Sequence, residues 1–263
     1  MPPSSLPQPP AGALVGQSIS DFYYENPSVF PSGAAPGIQN VTQIGPRTFN
    51  FVLRHRGNPW TPINPGGVRG AWYDGDRSND WNSGTHSGAV GEYVDKSRAE
   101  FMGFQKLGKY PFHIGDTWLM GTTVRLDPNF VPSSRFTMLM QPVAQQSMFK
   151  ATKLVGNNVT FTIDVHADGV NTADTTVREF VITRGVWTSV RIRINFGVRG
   201  SYAVSINGDP FQSLTCNTTR SSISQNNAFF GTWGLYCTAT TDINGNPMKD
   251  TSVQHSNIFI VKQ

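Results

Sequence analysis

Apolar residues recur at every second position along most of this chain, and this period of two limits its fold more than any other feature. In the run from Phe49 to Arg56, one face carries Phe49, Phe51, Leu53 and His55, the pattern of a β-strand with one buried side. No long stretch shows the 3.6-residue period of an amphipathic helix. Similar runs lie at 97–102, 117–126, 135–141, 159–165, 188–196, 202–206, 233–236 and 257–261.

The composition agrees with many short strands joined by tight turns. The chain of 263 residues contains 26 Gly and 18 Pro, while only 14% of its residues are charged. Gly and Pro are disfavoured inside helices and common in turns, so these numbers exclude a coiled coil, a helical bundle and a highly charged disordered chain. We therefore predict an all-β fold, an antiparallel β-sandwich.

The charge pattern bears on the partners of the protein. The 21 basic residues are spread among 17 acidic ones without a Lys/Arg block, so we expect no nucleic-acid partner. Arg191 and Arg193 alternate with Ile192 and Ile194, which places both arginines on the side away from the core. They form either a solvated face or a groove for acidic glycans. No apolar run is long enough to span a membrane, and the first residues lack the pattern of a secretory signal.

The first part of the chain differs from the rest. Residues 1–42 are rich in Pro, Gly, Ser and Ala, a composition that cannot pack a core of its own. We predict an extended N-terminal arm at 1–42 and a β-domain at 43–263. The arm is expected to bind other subunits of an assembly through aromatic anchors, namely Phe22, Tyr23, Tyr24 and Phe30.

Four segments in order resemble one family. The hairpin from Gly185 to Gly208, with Trp187 and the Asn207-Gly208 turn, is similar to a hairpin of concanavalin-A-like jelly rolls. It resembles most closely the polysaccharide lyases of the heparin-lyase-I and alginate-lyase type. The other three segments are 97–101, similar to the family's R-x-E strand, 136–141, similar to its Q-x-H strand, and 230–236, similar to its F-K-x-G-x-Y strand. The resemblance covers residues 47–263.

The resemblance implies a site for cleaving uronic-acid polymers by β-elimination. In the family an Arg binds the substrate carboxylate, an amide with a His neutralises it, and a Tyr assisted by a Lys transfers protons. Matched position by position, Arg98 and Glu100 would bind substrate, while Gln141 and Tyr236 would be catalytic. Arg98 and Glu100 could equally form an ion pair across a sheet, and Tyr236 could be an ordinary half-buried tyrosine.

Two departures from the family motifs bear on activity. Pro142 and Val143 follow Gln141, so the histidine of Q-x-H is absent, and Thr232 stands where the family has Lys. His55 and His166 lie on strand-like segments, but no spacing selects either as a substitute. We therefore predict a non-catalytic, glycan-binding structural component of a virus particle, made in the host cytoplasm and displayed on the virion surface. The alternative is an active, extracellular polysaccharide lyase.

Metal and thiol chemistry are minor features of the sequence. Asp74, Asp76 and Asp80 have a spacing that could hold Ca²⁺, although Asp-Gly pairs are also common in turns, and no other cofactor is expected. Asp242-Ile-Asn244-Gly-Asn246 repeats this pattern weakly. Cys216 and Cys237 are either reduced thiols or one bridge between neighbouring strands.

Overall fold

The computed structural model describes residues 2–24, 41–53, 96–107, 113–134, 137–142, 147–166, 174–218, 231–238, 242–246 and 248–263. Within these ranges the chain forms antiparallel β-strands and two short 3₁₀ helices, Ile19–Asp21 and Gln105–Leu107. No helix in the described ranges is long and apolar enough to cross a bilayer. The strands are β1 (Leu14–Val15), β2 (Phe22–Tyr24), β3 (Val41–Gly45), β4 (Thr48–Leu53), β5 (Lys96–Phe104), β6 (Thr117–Leu126), β7 (Thr137–Pro142), β8 (Ser147–Val155), β9 (Asn158–His166), β10 (Asp174–Thr183), β11 (Thr188–Asn195), β12 (Gly200–Ile206), β13 (Gln212–Cys216), β14 (Gly231–Thr238) and β15 (Thr251–Lys262).

One large sheet forms the first layer of the sandwich. Its strand order is β13-β12-β11-β6-β15-β4-β3, and every neighbouring pair is antiparallel. Strand β4 pairs with β15 only over Thr251–Ser256, and β1 then pairs with Phe259 and Ile260. The arm therefore supplies the edge strand where β4 has ended.

Two smaller sheets form the second layer. One has the order β2-β5-β14-β7 and the other has the order β10-β9-β8. Strand β8 lies beside β7, while β10 packs against β12 and β13 of the large sheet. The predicted all-β antiparallel sandwich is confirmed, because alternating strands must bury their apolar faces against a second layer.

The core lies between the two layers and follows the period of two. Phe49 and Phe51 on β4 are fully buried, and they meet Phe101 on β5 with ring centroids 5.0 Å away in each case. Their rings stand nearly perpendicular to that of Phe101, the edge-to-face arrangement that aromatic quadrupoles favour. His55, predicted on the same face, lies outside the described residues.

The N-terminal segment packs on this chain's own sheets. Strand β1 belongs to the large sheet and β2 to the second layer, so residues 14–24 connect the two. The predicted anchor Phe22 is buried and stacks on Phe101 at 4.1 Å, with an interplanar angle of 2°. Its ring occupies the place where a Cβ on Gly16 would lie. Tyr23 and Tyr24 have their backbones in β2, whereas Phe30 lies outside the described residues.

The proposed division at residue 42 stays a prediction. Strand β3 begins at Val41, close to the predicted start of the domain. Arg47 Nε donates a hydrogen bond to Gln17 Oε1 at 2.8 Å, and Gln43 Nε2 donates to the carbonyl of Gln17 at the same distance. Residues on both sides of the boundary thus contact each other directly.

Candidate functional site

Three neighbouring strands of the second layer bring the predicted site residues together. In the order β5-β14-β7, Tyr236 pairs with Arg98 on one side and Met138 on the other. Thr232 pairs with Gln141 on β7. Positions 91 to 138 residues apart in sequence are therefore directly paired.

Alternation along β14 separates its two faces. Trp233, Leu235 and Cys237 belong to the apolar core and are at most 1% exposed. Thr232 and Tyr236 therefore lie on the opposite side of the strand. We use the name polar face for this side of β5, β14 and β7, defined by Glu100, Thr232, Tyr236 and Gln141.

The polar face is well covered. Glu100 and Thr232 are each 2% exposed and Tyr236 is 8% exposed, while Gln141 is half-buried. Thr232 Oγ1 donates a hydrogen bond to Glu100 Oε1 at 3.1 Å. The position that matches the family lysine thus holds a hydroxyl that is bonded to a buried carboxylate.

A glycine interrupts the regular pairing in the middle of this face. The register between β14 and β7 shifts between Trp233 and Tyr236, which marks a β-bulge. Gly234 has φ 150°, and a Cβ there would lie 2.1 Å from the carbonyl oxygen of Ala99. Any side chain at this position would collide with β5, so the bulge requires glycine.

A histidine that the sequence did not single out lies directly beneath the bulge. His255 on β15 is fully buried, its Nε2 is 3.0 Å from the Gly234 carbonyl oxygen, and its Nδ1 is 3.2 Å from Thr122 Oγ1. Burial lowers the pKa of His255 to about 3, and the bond to Gly234 acts against this shift. The ring is therefore neutral and faces the core. Its alternation with the core residue Val253 was the available signal.

Of the two histidines considered from the sequence, His166 is described by the structure, and its strand is away from the polar face. His55 lies outside the described residues. His166 ends β9, which belongs to the other small sheet and pairs with β8 and β10.

Arg191 and Arg193 lie elsewhere, on β11 of the large sheet. Arg191 Nη2 donates to the carbonyl of Gln8 in the arm, and its guanidinium lies 5.6 Å from the centroid of the Phe259 ring. The guanidinium of the exposed Arg193 lies 4.6 Å from the centroid of Phe211. The structure does not bring these arginines to the polar face, because β11 and β14 are in different layers.

Of the two carboxylate loops, the one at 242–246 lies within the described residues. Asp74, Asp76 and Asp80 lie outside the described residues. Asp242 Oδ1 accepts hydrogen bonds from the backbone of Asn244 at 2.8 Å and Asn246 at 2.9 Å, which is ordinary turn chemistry. In the described part of the chain, no three His, Cys, Asp or Glu side chains form a metal-binding group.

Neither cysteine forms a disulfide, and both are buried. Cys216 ends β13 of the large sheet and Cys237 lies in β14 of the second layer, so the alternative of a bridge between neighbouring strands is wrong. Burial raises the pKa of the Cys216 thiol, which keeps it protonated near neutral pH.

Comparison with known proteins identifies the architecture. No family model and no curated protein matches the sequence. The structure aligns with the endo-β-1,4-glucuronan lyase of the fungus Trichoderma reesei at a TM-score of 0.50 and 11% identity, over 95% of this chain and 94% of that chain. The fold is a polysaccharide-lyase-type jelly roll.

Two alginate lyases align with lower scores. A variant of the alginate lyase Aly36B in complex with alginate tetrasaccharide has a TM-score of 0.48 and 11% identity, over 94% of this chain and 96% of that chain. A family 7 alginate lyase in complex with its substrate has a TM-score of 0.47 and 16% identity, over 67% of this chain and 74% of that chain. The likeness to the glucuronan lyase confirms the jelly-roll fold predicted from the sequence.

Proposed function

We propose that the protein binds an acidic polysaccharide on the polar face and does not cleave it. The observation that carries this proposal is the register of β5, β14 and β7, which sets Arg98 opposite Tyr236 and Gln141 opposite Thr232. The same fold carries a glucuronan lyase, whose name describes an enzyme of uronic-acid polymers.

The residue types suit a uronate chain. A guanidinium at Arg98 can hold a carboxylate with two parallel N–H donors, a geometry that an ammonium does not offer. The amide of Gln141 both donates and accepts, as sugar hydroxyls require. Tyr236 adds an aromatic surface with a polar end, which is common at carbohydrate and protein interfaces.

Three features support binding without elimination. An elimination needs a group that neutralises the carboxylate and a base that removes the α-proton. Thr232 replaces the lysine and is bonded to Glu100. Pro142 and Val143 replace the residues of the histidine motif, and the neutral His255 faces the core.

A binding panel tests this proposal. Alginate, glucuronan and heparin-like oligosaccharides are titrated calorimetrically into the intact protein and into Arg98→Ala and Tyr236→Phe variants, with Arg193→Ala as the control. We expect micromolar to millimolar binding of at least one uronate polymer that both polar-face variants weaken. Uniform binding of neutral glycans, or equal weakening by Arg193→Ala, would contradict the proposal.

An active lyase is the second candidate, and the pairing of Tyr236 with Arg98 favours it. The elimination product is an unsaturated uronate with strong ultraviolet absorbance. If the protein is a lyase, that absorbance rises with at least one polymer, and Tyr236→Phe abolishes the rise. If a polymer demonstrably binds and the absorbance does not change, the result supports the non-catalytic function.

The role in a virus particle stays a prediction from composition and from the arm. We propose display on the virion surface, with contacts to other subunits through residues 1–42. Because Phe22 is part of the domain's own core, deletion of the whole arm would confuse loss of fold with loss of assembly. Removal of residues 2–8 alone, followed by particle incorporation and melting temperature, separates the two. Unchanged incorporation of a stable truncated protein would contradict contacts through residues 2–8.

A further inference from the structure

His255 connects the two layers of the sandwich at one atom of β14. The Gly234 carbonyl oxygen can only accept a hydrogen bond, so His255 Nε2 carries the ring proton and donates across 3.0 Å. Nδ1 of the neutral ring is then the acceptor that faces Thr122 Oγ1 at 3.2 Å. The ring is also fixed by Phe51, whose centroid lies 5.2 Å away in an edge-to-face arrangement.

The acceptor of this bond is the residue at which the polar face changes register. Gly234 lies within the bulge, where β14 and β7 pair at Trp233 and again only at Tyr236. A bulge re-aims the side chains on either side of it. Thr232 precedes Gly234 by two residues and Tyr236 follows it by two. Both residues therefore flank Gly234 along β14, with their side chains on the polar face.

We propose that His255 is a positioning residue for the polar face. It holds the Gly234 bulge from the opposite sheet and so sets the spacing between Tyr236 and the Thr232–Gln141 pair. It contacts no ligand and acts through the Gly234 carbonyl. The consequence for glycan binding rests on the proposed function, whereas the consequence for the placement of Tyr236 does not.

Two substitutions at the same position separate positioning from packing. His255→Gln keeps a donor that can reach Gly234, while His255→Leu fills similar space and has no donor. Val253→Ala is the matched control, because Val253 is equally buried on the core face of β15 two residues away. It removes packing and keeps the hydrogen bond from His255 to Gly234.

The first measurement is independent of any glycan. Fluorotyrosine is incorporated into the full chain, and the ¹⁹F resonance of Tyr236 is assigned by its loss in Tyr236→Phe. We expect His255→Leu to shift or broaden this resonance, and His255→Gln and Val253→Ala to leave it close to its original position. An unchanged Tyr236 resonance in folded His255→Leu overturns the proposal, as does an equal change in Val253→Ala.

The second measurement is affinity for the uronate oligosaccharide that the intact protein binds best. At a temperature where all variants are folded, His255→Leu is expected to weaken binding about tenfold, the effect of roughly one misplaced hydrogen bond, and His255→Gln to restore most of it. If the intact protein binds no uronate, the proposed function fails, and the ¹⁹F result alone decides the positioning role. If His255→Leu does not fold, His255→Asn, whose shorter amide does not reach Gly234, replaces it with the same expected outcomes.

Discussion

The polar face of β5, β14 and β7 is the glycan site that the family resemblance implies, and the outward arginines of β11 form either a solvated face or a second glycan groove. The two regions differ in the structure. On the polar face, residues from three distant segments meet in direct register. On β11, Arg191 bonds to the arm at Gln8, and Arg193 lies over the ring of Phe211. The first arrangement gathers several polar groups, on which the proposed binding rests, whereas the second uses its guanidinium groups within the chain.

This difference shows what alternation can and cannot predict. The period of two correctly assigns Arg191 and Arg193 to the side away from the core, since Ile192 and Ile194 are buried. It does not reveal that the arm reaches that side, where Pro7 approaches Gly208 and Gln8 meets Arg191. A face that points outward in the pattern is thus not always open to a ligand.

The largest expected effect concerns Phe22, which anchors the arm in the core, while Gln8 of the same arm contacts β11. Phe22→Ala removes a buried ring that stacks on Phe101 and packs against Phe104. We expect a loss of about 3–5 kcal/mol in the free energy of unfolding, measured by urea denaturation. Phe211→Ala is the control, because Phe211 is only half-buried, and we expect it to cost less than about 1 kcal/mol. Equal losses would show that the arm is not anchored in the core.

The next effect sharpens the comparison of the two faces directly. Arg98→Ala is expected to lower the affinity for a uronate oligosaccharide by about tenfold to a hundredfold, since a hydrogen bond to a charged group is worth roughly 1.5–3 kcal/mol. Arg193→Ala is expected to change it by less than about twofold. Calorimetric titration of both variants measures the contrast, and the reverse order of effects would move the binding site to β11.

The pH dependence of stability tests the neutral histidine below the polar face. The pKa of His255 falls from 6.5 when unfolded to about 3 in the fold, so the unfolded chain binds more protons between these values. Stability is therefore complete above pH 6.5 and declines as the pH falls toward 3, by about 2 kcal/mol at pH 5.

Urea denaturation at pH 7 and pH 5 measures this loss, and His255→Gln serves as the control because it has no ring to titrate. Burial raises the pKa of the Asp116 carboxyl, but its bonds to Lys262 and Trp118 lower it, and the net shift is downward. Protonation of Asp116 therefore also reduces stability, but only below its ordinary pKa of 3.8. The same pH dependence in His255→Gln would show that His255 is not its source.

The smallest effect concerns Arg191 itself. Arg191→Ala removes the bond to Gln8 and the contact with Phe259, and we expect about 1 kcal/mol of lost stability or less. Glycan affinity is expected to stay the same. Faster proteolysis within residues 2–13 would report the loosened arm, and a large loss of affinity would argue that Arg191 contacts the ligand.

Much of the fold could be predicted because strand alternation is a local signal. Phe49, Phe51 and Leu53 are buried as their spacing indicates, and Trp233 and Leu235 are on the core side of β14 as the sequence suggested. The neighbouring strands of the candidate site followed from the resemblance rather than from the pattern. His255 was missed because a single polar residue at a core position gives no indication of its partner on another strand.

The sequence by itself determined that the chain forms an antiparallel sandwich, since its period of two and its Gly, Pro and Asn turns exclude layers built from helices. Only the tertiary structure decided which polar residues meet, because pairing of β5, β14 and β7 joins segments far apart in the chain. It also decided that Phe22 completes the core and that His255 bonds to Gly234. The first contact depends on the pairing of β2 with β5 and the second on the distance between the two layers, and no local pattern contains either quantity.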